Sequence, residues 1–424
     1  MLSYFARVNY TLMDRYLFEV NMRADASSRF HKDHRWGYFP SFSAGWRMSE
    51  ESFMKDIEWI NNLKIRASYG TLGNINNVGN YDYFQNYSSG NHYNFSDSPV
   101  IGIGESKPAN ETLGWEKVAL TDIGLDFDIF NGLLGVTADY YIKNTSDILL
   151  GYNVPTETGI TAAPSQNIGK VKNTGFELAL NHRNKIGAVN YSIGANIATN
   201  KNKITNLGGS DNIIQTSSYI VKYILKKGES IGSFYGFKTD GLYTQADIDA
   251  GHYYTLSGVV PNAGDIKFVP QRDIEYKQEI TDEDRTILGK DVPDFTYGVN
   301  LSLQYKGFEF SMFGQGISGT KVAFDVYGVH PFYHGQDSPR KYHLKRWTEE
   351  NPNPHAAYPR IYSASSVHTT YNRNFSDYHL FDSDYFRFKT LSLGYTVPSA
   401  TVKNWGLQSL KVYVTDMRKY VIPV

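Results

Sequence analysis

The chain has 424 residues, a formal net charge of −1 and an isoelectric point near 6.8, so no basic field marks it for nucleic acid. Cysteine is absent, which excludes structural disulfides, thiolate metal sites and cysteine catalysis. Mean hydropathy is −0.43 and no run of about eighteen apolar residues occurs, which excludes transmembrane helices but not strands, where only every second residue meets lipid.

In chain order, YFARVNYTLM (Tyr4–Met13) and YLFEVNMRADAS (Tyr16–Ser27) read as a hairpin closed at Asp14-Arg15. In its second arm Tyr16, Phe18, Val20 and Met22 share one face, and Glu19, Asn21, Arg23 and Asp25 the other. A charged loop (Arg29–Arg35) leads to a strand over Trp36–Met48. Ser49-Glu50-Glu51-Ser52 predicts a short helix to about Asn62, since a serine cap with early acids suits a helix N-terminus. LKIRASYG (Leu63–Gly70) is the next strand, and a long loop rich in Gly, Asn and Tyr follows it. Glu116–Phe130 and Leu133–Leu150 form a hairpin around Asn131-Gly132. After another loop come Asn173–Asn184 and Val189–Asn200, then a long irregular region to Pro293.

The clearest hairpin is DFTYGVNLSLQYKGFEFSMFGQG (Asp294–Gly316). Phe295, Tyr297, Val299, Leu301 and Leu303 alternate with Thr296, Asn300, Ser302 and Gln304 over about ten residues, enough for a tilted strand to cross a bilayer. The first set is expected to face lipid and the second the lumen. A loop from about Thr320 to Ser383 precedes the last strands, Tyr385–Pro398 and Ser409–Thr415, which flank a short helix at Ser399–Trp405. Connections near Asp14, Asn131, Lys185 and Lys306 are tight, and those starting near Arg29, Thr71, Gly151, Lys201 and Thr320 are long. The pattern predicts an all-β fold, a partial antiparallel transmembrane β-barrel of about twelve strands with long extracellular loops. Each strand is expected to pair with its sequence neighbour.

Several stretches, in this order, resemble the SusC/RagA-type TonB-dependent outer-membrane transporters: Tyr16–Phe30, RWGYFPSFSAGWRMSEESFMK (Arg35–Lys55), Leu63–Asn74, GWEKVALTDIGLDF (Gly114–Phe127), NIGKVKNTGFEL (Asn167–Leu178), YGFKTDGLY (Tyr235–Tyr243), RWTEENPNPHAAYPRI (Arg346–Ile361) and YFRFKTLSLGYTVP. The resemblance implies a large outer-membrane barrel that imports oligosaccharides or peptides, lidded by a SusD-like surface lipoprotein and driven through TonB. It also implies a plug, a TonB-contacting segment and further strands before Tyr4, and a last strand with an aromatic end after Thr415. Residues 1–424 are therefore expected to be part of such a barrel, without the plug and unable to transport alone. Relatives often carry an acidic calcium-loop-like run after Gly-Asp-Ile-Lys. GDIKFVPQRD (Gly264–Asp273) lacks its alternating ligands, so no metal or other cofactor is expected.

Candidate ligand contacts are Tyr81, Tyr83, Tyr87 and Tyr93 in the long loop, whose ring faces suit sugars, together with Arg23 and Asp25 on the lumen face. The competing readings are that the tyrosines pack the loop onto its neighbours or onto the lipoprotein, and that Glu19, Arg23, Asp25, Asp122, Asp126 and Asp128 are paired wall charges. His330, His334, His343 and His355 have no pattern that would converge them on a metal, and Lys170-Val171-Lys172 reads as solvated loop. No nucleophile elbow or phosphate loop occurs, so the expectation is a transport protein without chemistry of its own. An outer-membrane binding or adhesion barrel without import is the alternative.

Overall fold

A computed structural model describes residues 1–95, 98–151, 157, 165–216, 220–324, 330–332, 338–417 and 420–423. The chain divides into two compact units, one made of Met1–Asp211, Asp294–Ile317 and Tyr385–Ile422, the other centred on Asn212–Pro293 and Ser318–Asp384.

Among the described residues, the first unit orders twelve strands along one path in chain sequence. They are β1 (Leu2–Leu12), β2 (Tyr16–Ala26), β3 (Trp36–Arg47), β4 (Ile60–Asn74), β5 (Glu116–Ile129) and β6 (Leu134–Gly151), then β7 (Ser165–Ile186), β8 (Val189–Thr199), β9 (Phe295–Tyr305), β10 (Phe308–Ser318), β11 (Tyr385–Thr396) and β12 (Lys411–Asp416). Neighbours pair antiparallel, as the alternation of tight and long connections requires. The turn between β9 and β10 has Lys306 and Gly307 at φ 45° and 89°, the double positive φ that matches the twist of flanking strands.

Register converts the alternation within each strand into continuous faces across the sheet. Leu12, Tyr16, Trp46, Ile65, Leu125, Ala138, Leu178, Ile197 and Tyr297 lie opposite one another from β1 to β9. Tyr10, Phe18, Ala44, Ala67, Ile123, Tyr140 and Phe176 form a second apolar row, and its large members are exposed. One residue out of phase, Asn9, Glu19, Ser43, Ser68 and Asp122 form a polar row. A slip of one residue at any pair would mix the two faces.

Three local expectations are corrected. The helix from Ser49 to about Asn62 does not form. Glu51 is drawn inward, accepting from Tyr16 Oη (2.7 Å), Trp46 Nε1 (3.1 Å) and Arg15 Nη1 (3.0 Å). These bonds hold its carboxyl below the ordinary glutamate range, the Tyr16 and Trp46 donors first. Backbone bonds from Met54 to Glu51, Ile57 to Met54 and Ile60 to Ile57 then make consecutive three-residue turns up to β4. Lys170-Val171-Lys172 is not loop but part of β7, with Val171 buried. The long loop after β4 carries its own hairpin, Asn86–Phe95 with Ser98–Lys107. Beneath it Phe30, Phe39, Val78, Tyr83, Leu113 and Trp115 form a buried cluster. Phe39 fits because Gly37 and Gly73 flank its ring, and a Cβ at Gly73 would lie 2.1 Å from it.

The region expected to be irregular is organised as the second unit. It holds a four-stranded sheet (Asn212–Thr216, Lys222–Lys226, Ser233–Gly236, Thr286–Lys290) and a core of Phe237, Leu242, Ile266, Phe268, Trp347 and Tyr371. Two short helices, Gln245–Asp249 and Val367–Asn372, start on side-chain caps from Thr244 and Ser366. Among the described residues no helix is long and apolar enough to cross a membrane.

Candidate functional site

The polar face of the sheet carries paired charges. Arg7 Nη2 meets Glu19 Oε2 at 2.5 Å. Arg66 bridges two neighbours, with Nε 2.8 Å from Asp126 Oδ2 and Nη2 2.9 Å from Asp139 Oδ1. Gly124 sits between these partners, and a Cβ there would lie 2.1 Å from Asp139 Oδ1. Further along the same face, Asn62, Asp128, Asn181, Arg183, Ser302 and Gln304 border an open cavity of about 760 Å³. Ser302 and Gln304 belong to the polar set of β9, so that end of the strand contributes polar residues to this cavity.

The residues singled out for ligand contact divide into three groups. Asp25 is buried and held by Arg23, Nε to Oδ2 at 2.7 Å. Tyr83 lies in the buried cluster under the loop, its ring 4.3 Å from that of Phe84. Tyr81, Tyr87 and Tyr93 are 64–67 % exposed, the Tyr93 ring tilted against Phe95 at 4.8 Å. Arg23 and Asp25 thus form a pair with each other, while three of the four tyrosines leave their faces open.

The second unit contains polar centres that sequence reasoning missed. Asp265 is fully buried and accepts from Asn262 N, His368 Nδ1 and Asn372 Nδ2, each at 2.8 Å. Asn372 Oδ1 in turn accepts from Ile266 N at 2.8 Å. His368 therefore carries its proton on Nδ1, and Nε2 accepts from Asn262 Nδ2 at 3.0 Å. These bonds lock the Val367–Asn372 helix to the turn before Ile266. His334 lies outside the described residues, and among those described no group of three or more His, Asp or Glu is placed to hold a metal.

Asp284, also fully buried, accepts from Arg272 Nη2 (2.7 Å) and from the backbone N–H groups of Thr281, Gln271 and Arg272. Burial by itself would raise its pKa, but the Arg272 guanidinium and the N–H donors outweigh it and bring the value down from 3.8 to about 2. A depressed folded pKa stabilises above the unfolded value and is lost as pH falls through the folded one. Stability of roughly 2 kcal/mol should therefore be present at neutral pH and disappear between about pH 4 and pH 2. Acid unfolding curves check this: Asp284→Asn should flatten that step, and an unchanged step would contradict the assignment.

A second cavity, of about 690 Å³, lies within this unit. Its walls include Tyr342, Tyr358, Tyr378, Phe324, Phe381 and the Arg360 side chain. His379, on the same wall, is held neutral: burial, reinforced by nearby His330, lowers its pKa to about 3.

The family described as TonB-dependent receptor-like, beta-barrel, matches residues 2–416. TonB-dependent receptor P3 of Formosa agariphila is 32 % identical over 421 residues, covering 98 % of this chain and 40 % of the relative. TonB-dependent receptor SusC of Bacteroides thetaiotaomicron is 29 % identical, covering all of this chain and 40 % of SusC. The chain thus spans about two fifths of the curated relatives it matches. Among solved structures, the RagAB peptide transporter superposes with a TM-score of 0.77 at 23 % identity, over 99 % of this chain and 43 % of that one. Matched along nearly its whole length by family and fold, this chain belongs to the TonB-dependent receptor β-barrel family, with SusC among its homologues.

Proposed function

We propose that the chain forms barrel wall and outer loops of an outer-membrane, TonB-dependent importer of the SusC type, taking up oligosaccharides or peptides. The observation that carries this reading is the in-phase register of β1 to β9, which aligns an apolar row over nine strands and sets a face with paired charges on the opposite side. An exposed apolar band of that extent suits lipid, and the opposite face suits a wet lumen. A SusD-like lipoprotein is the proposed partner at the long loops, where Tyr81, Tyr87 and Tyr93 offer exposed ring faces to it or to substrate. TonB would act through a segment outside these residues.

Uptake of fluorescent oligosaccharide and peptide mixtures by the host tests this, comparing wild type with an in-frame deletion of the gene and with TonB depletion. Uptake of at least one class should fall to background in both strains. Uptake untouched by either change, with surface binding lost in the deletion, would favour the adhesion reading instead.

A further inference from the structure

We propose that the 690 Å³ cavity of the second unit binds one acidic sugar ring, a uronate or a sulfated residue, of an oligosaccharide. The choice of a sugar rests on the importer reading, but the cavity argues for the class independently. Its volume falls in the range of small-molecule sites. The Tyr342 and Tyr358 rings lie 5.5 Å apart, and His343 meets Tyr358 edge-on at 81°, so one wall is a built aromatic corner. Phe324 and Phe381, T-shaped at 5.3 Å and half exposed, continue the apolar surface outward.

Charge decides the next step. Arg360 and Arg373 line the cavity, and among the described lining residues there is no Asp or Glu. Arg360 is pinned: its guanidinium lies 5.5 Å from both the Trp347 and Tyr362 rings and Nη2 is 2.9 Å from Glu349 Oε1. Glu349 itself is mostly exposed and is not among the described lining residues, whereas Arg360 is. A rigid guanidinium over aromatic faces recognises a planar carboxylate or a sulfate by paired hydrogen bonds.

A sugar ring fits the rest of the wall better than an apolar peptide side chain. Pyranose C–H faces cover tyrosine rings, while the hydroxyl rim meets the phenol, imidazole, threonine and arginine groups interleaved with them. An apolar side chain would cover the rings but bring no carboxylate or sulfate to the arginines of the wall.

The test uses the full-length product of the gene, purified in detergent, and isothermal titration with four probes. These are trigalacturonate, a sulfated galactan trisaccharide, neutral trigalactose and an acidic hexapeptide. At least one of the two acidic sugars should bind at least about ten-fold tighter than the neutral trimer, and whichever does identifies carboxylate or sulfate as the source. Arg360→Gln and Tyr342→Ala should each weaken that binding by about ten-fold or more while the heat-modifiable folded band persists. Arg360→Gln should also erase most of the preference over the neutral trimer. Equal binding of neutral and acidic trimers, binding of the peptide alone, or full binding in both folded variants would overturn the proposal. Binding without TonB-dependent import contradicts the importer reading and leaves the cavity assignment standing, whereas import without binding of either acidic sugar does the reverse.

Discussion

Expressed by themselves behind a signal peptide, these 424 residues are expected to give no heat-modifiable folded monomer and no uptake. Among the described residues β1 bonds along one side only, to β2, and β12 lies at the other end of the path beside β11. β1 is exposed along its whole length, Phe5 at 85 % and Val8 at 65 %. In hydrocarbon each unpaired backbone group costs several kcal/mol, so open edges of 11 residues at β1 and 6 at β12 do not persist there. Closure of β1 onto β12 would need a pairing that the register of the sheet does not prepare. A stable monomer that shifts on heating and supports uptake would defeat this expectation.

Asp265→Ala is expected to be the most damaging single substitution in the second unit. It strands three donors, from Asn262, His368 and Asn372, that converge on a fully buried carboxylate. Leaving a buried donor without its acceptor costs about 1–3 kcal/mol, against about 0.5 kcal/mol or less for an ordinary surface change. Asp265→Asn keeps the volume and one acceptor oxygen and should recover part of the loss. Limited proteolysis of the full-length protein checks it: new cleavage within 212–293 and 318–384 is expected for the alanine variant. A wild-type pattern in that variant would show that the network contributes little.

What could be read beforehand is what the backbone encodes locally. Alternation over Asp294–Gly316, the Lys306-Gly307 and Asn131-Gly132 turns, and the order of tight and long connections all act within a few residues. They led to the twelve-strand meander and to the polar side of β9. Long-range partners escaped. Glu51 looks like a helix-start acid until Tyr16 and Trp46 are brought to it by the pairing of β2 with β3. In sequence Asp265 reads only as part of an incomplete calcium loop, because His368 and Asn372 lie more than a hundred residues away. Tyr83 could not be told from Tyr87 by composition, since burial of one and exposure of the other follow from Phe30 and Trp115 beneath the loop. The aromatic cavity draws its walls from loops and from elements of only a few residues, too short to show a period.

The central claim is that the sheet turns its apolar rows to lipid and its polar rows to water. The most direct measurement places a cysteine at Leu301 or at Asn300, adjacent positions on β9, in the full-length protein reconstituted in vesicles. No native cysteine interferes within these residues. A fluorophore at Leu301→Cys should be quenched by lipid-borne nitroxides and be inaccessible to a membrane-impermeant thiol reagent. Asn300→Cys should react with that reagent and resist lipid quenching. The reverse pattern, or equal behaviour at the two positions, would contradict the account.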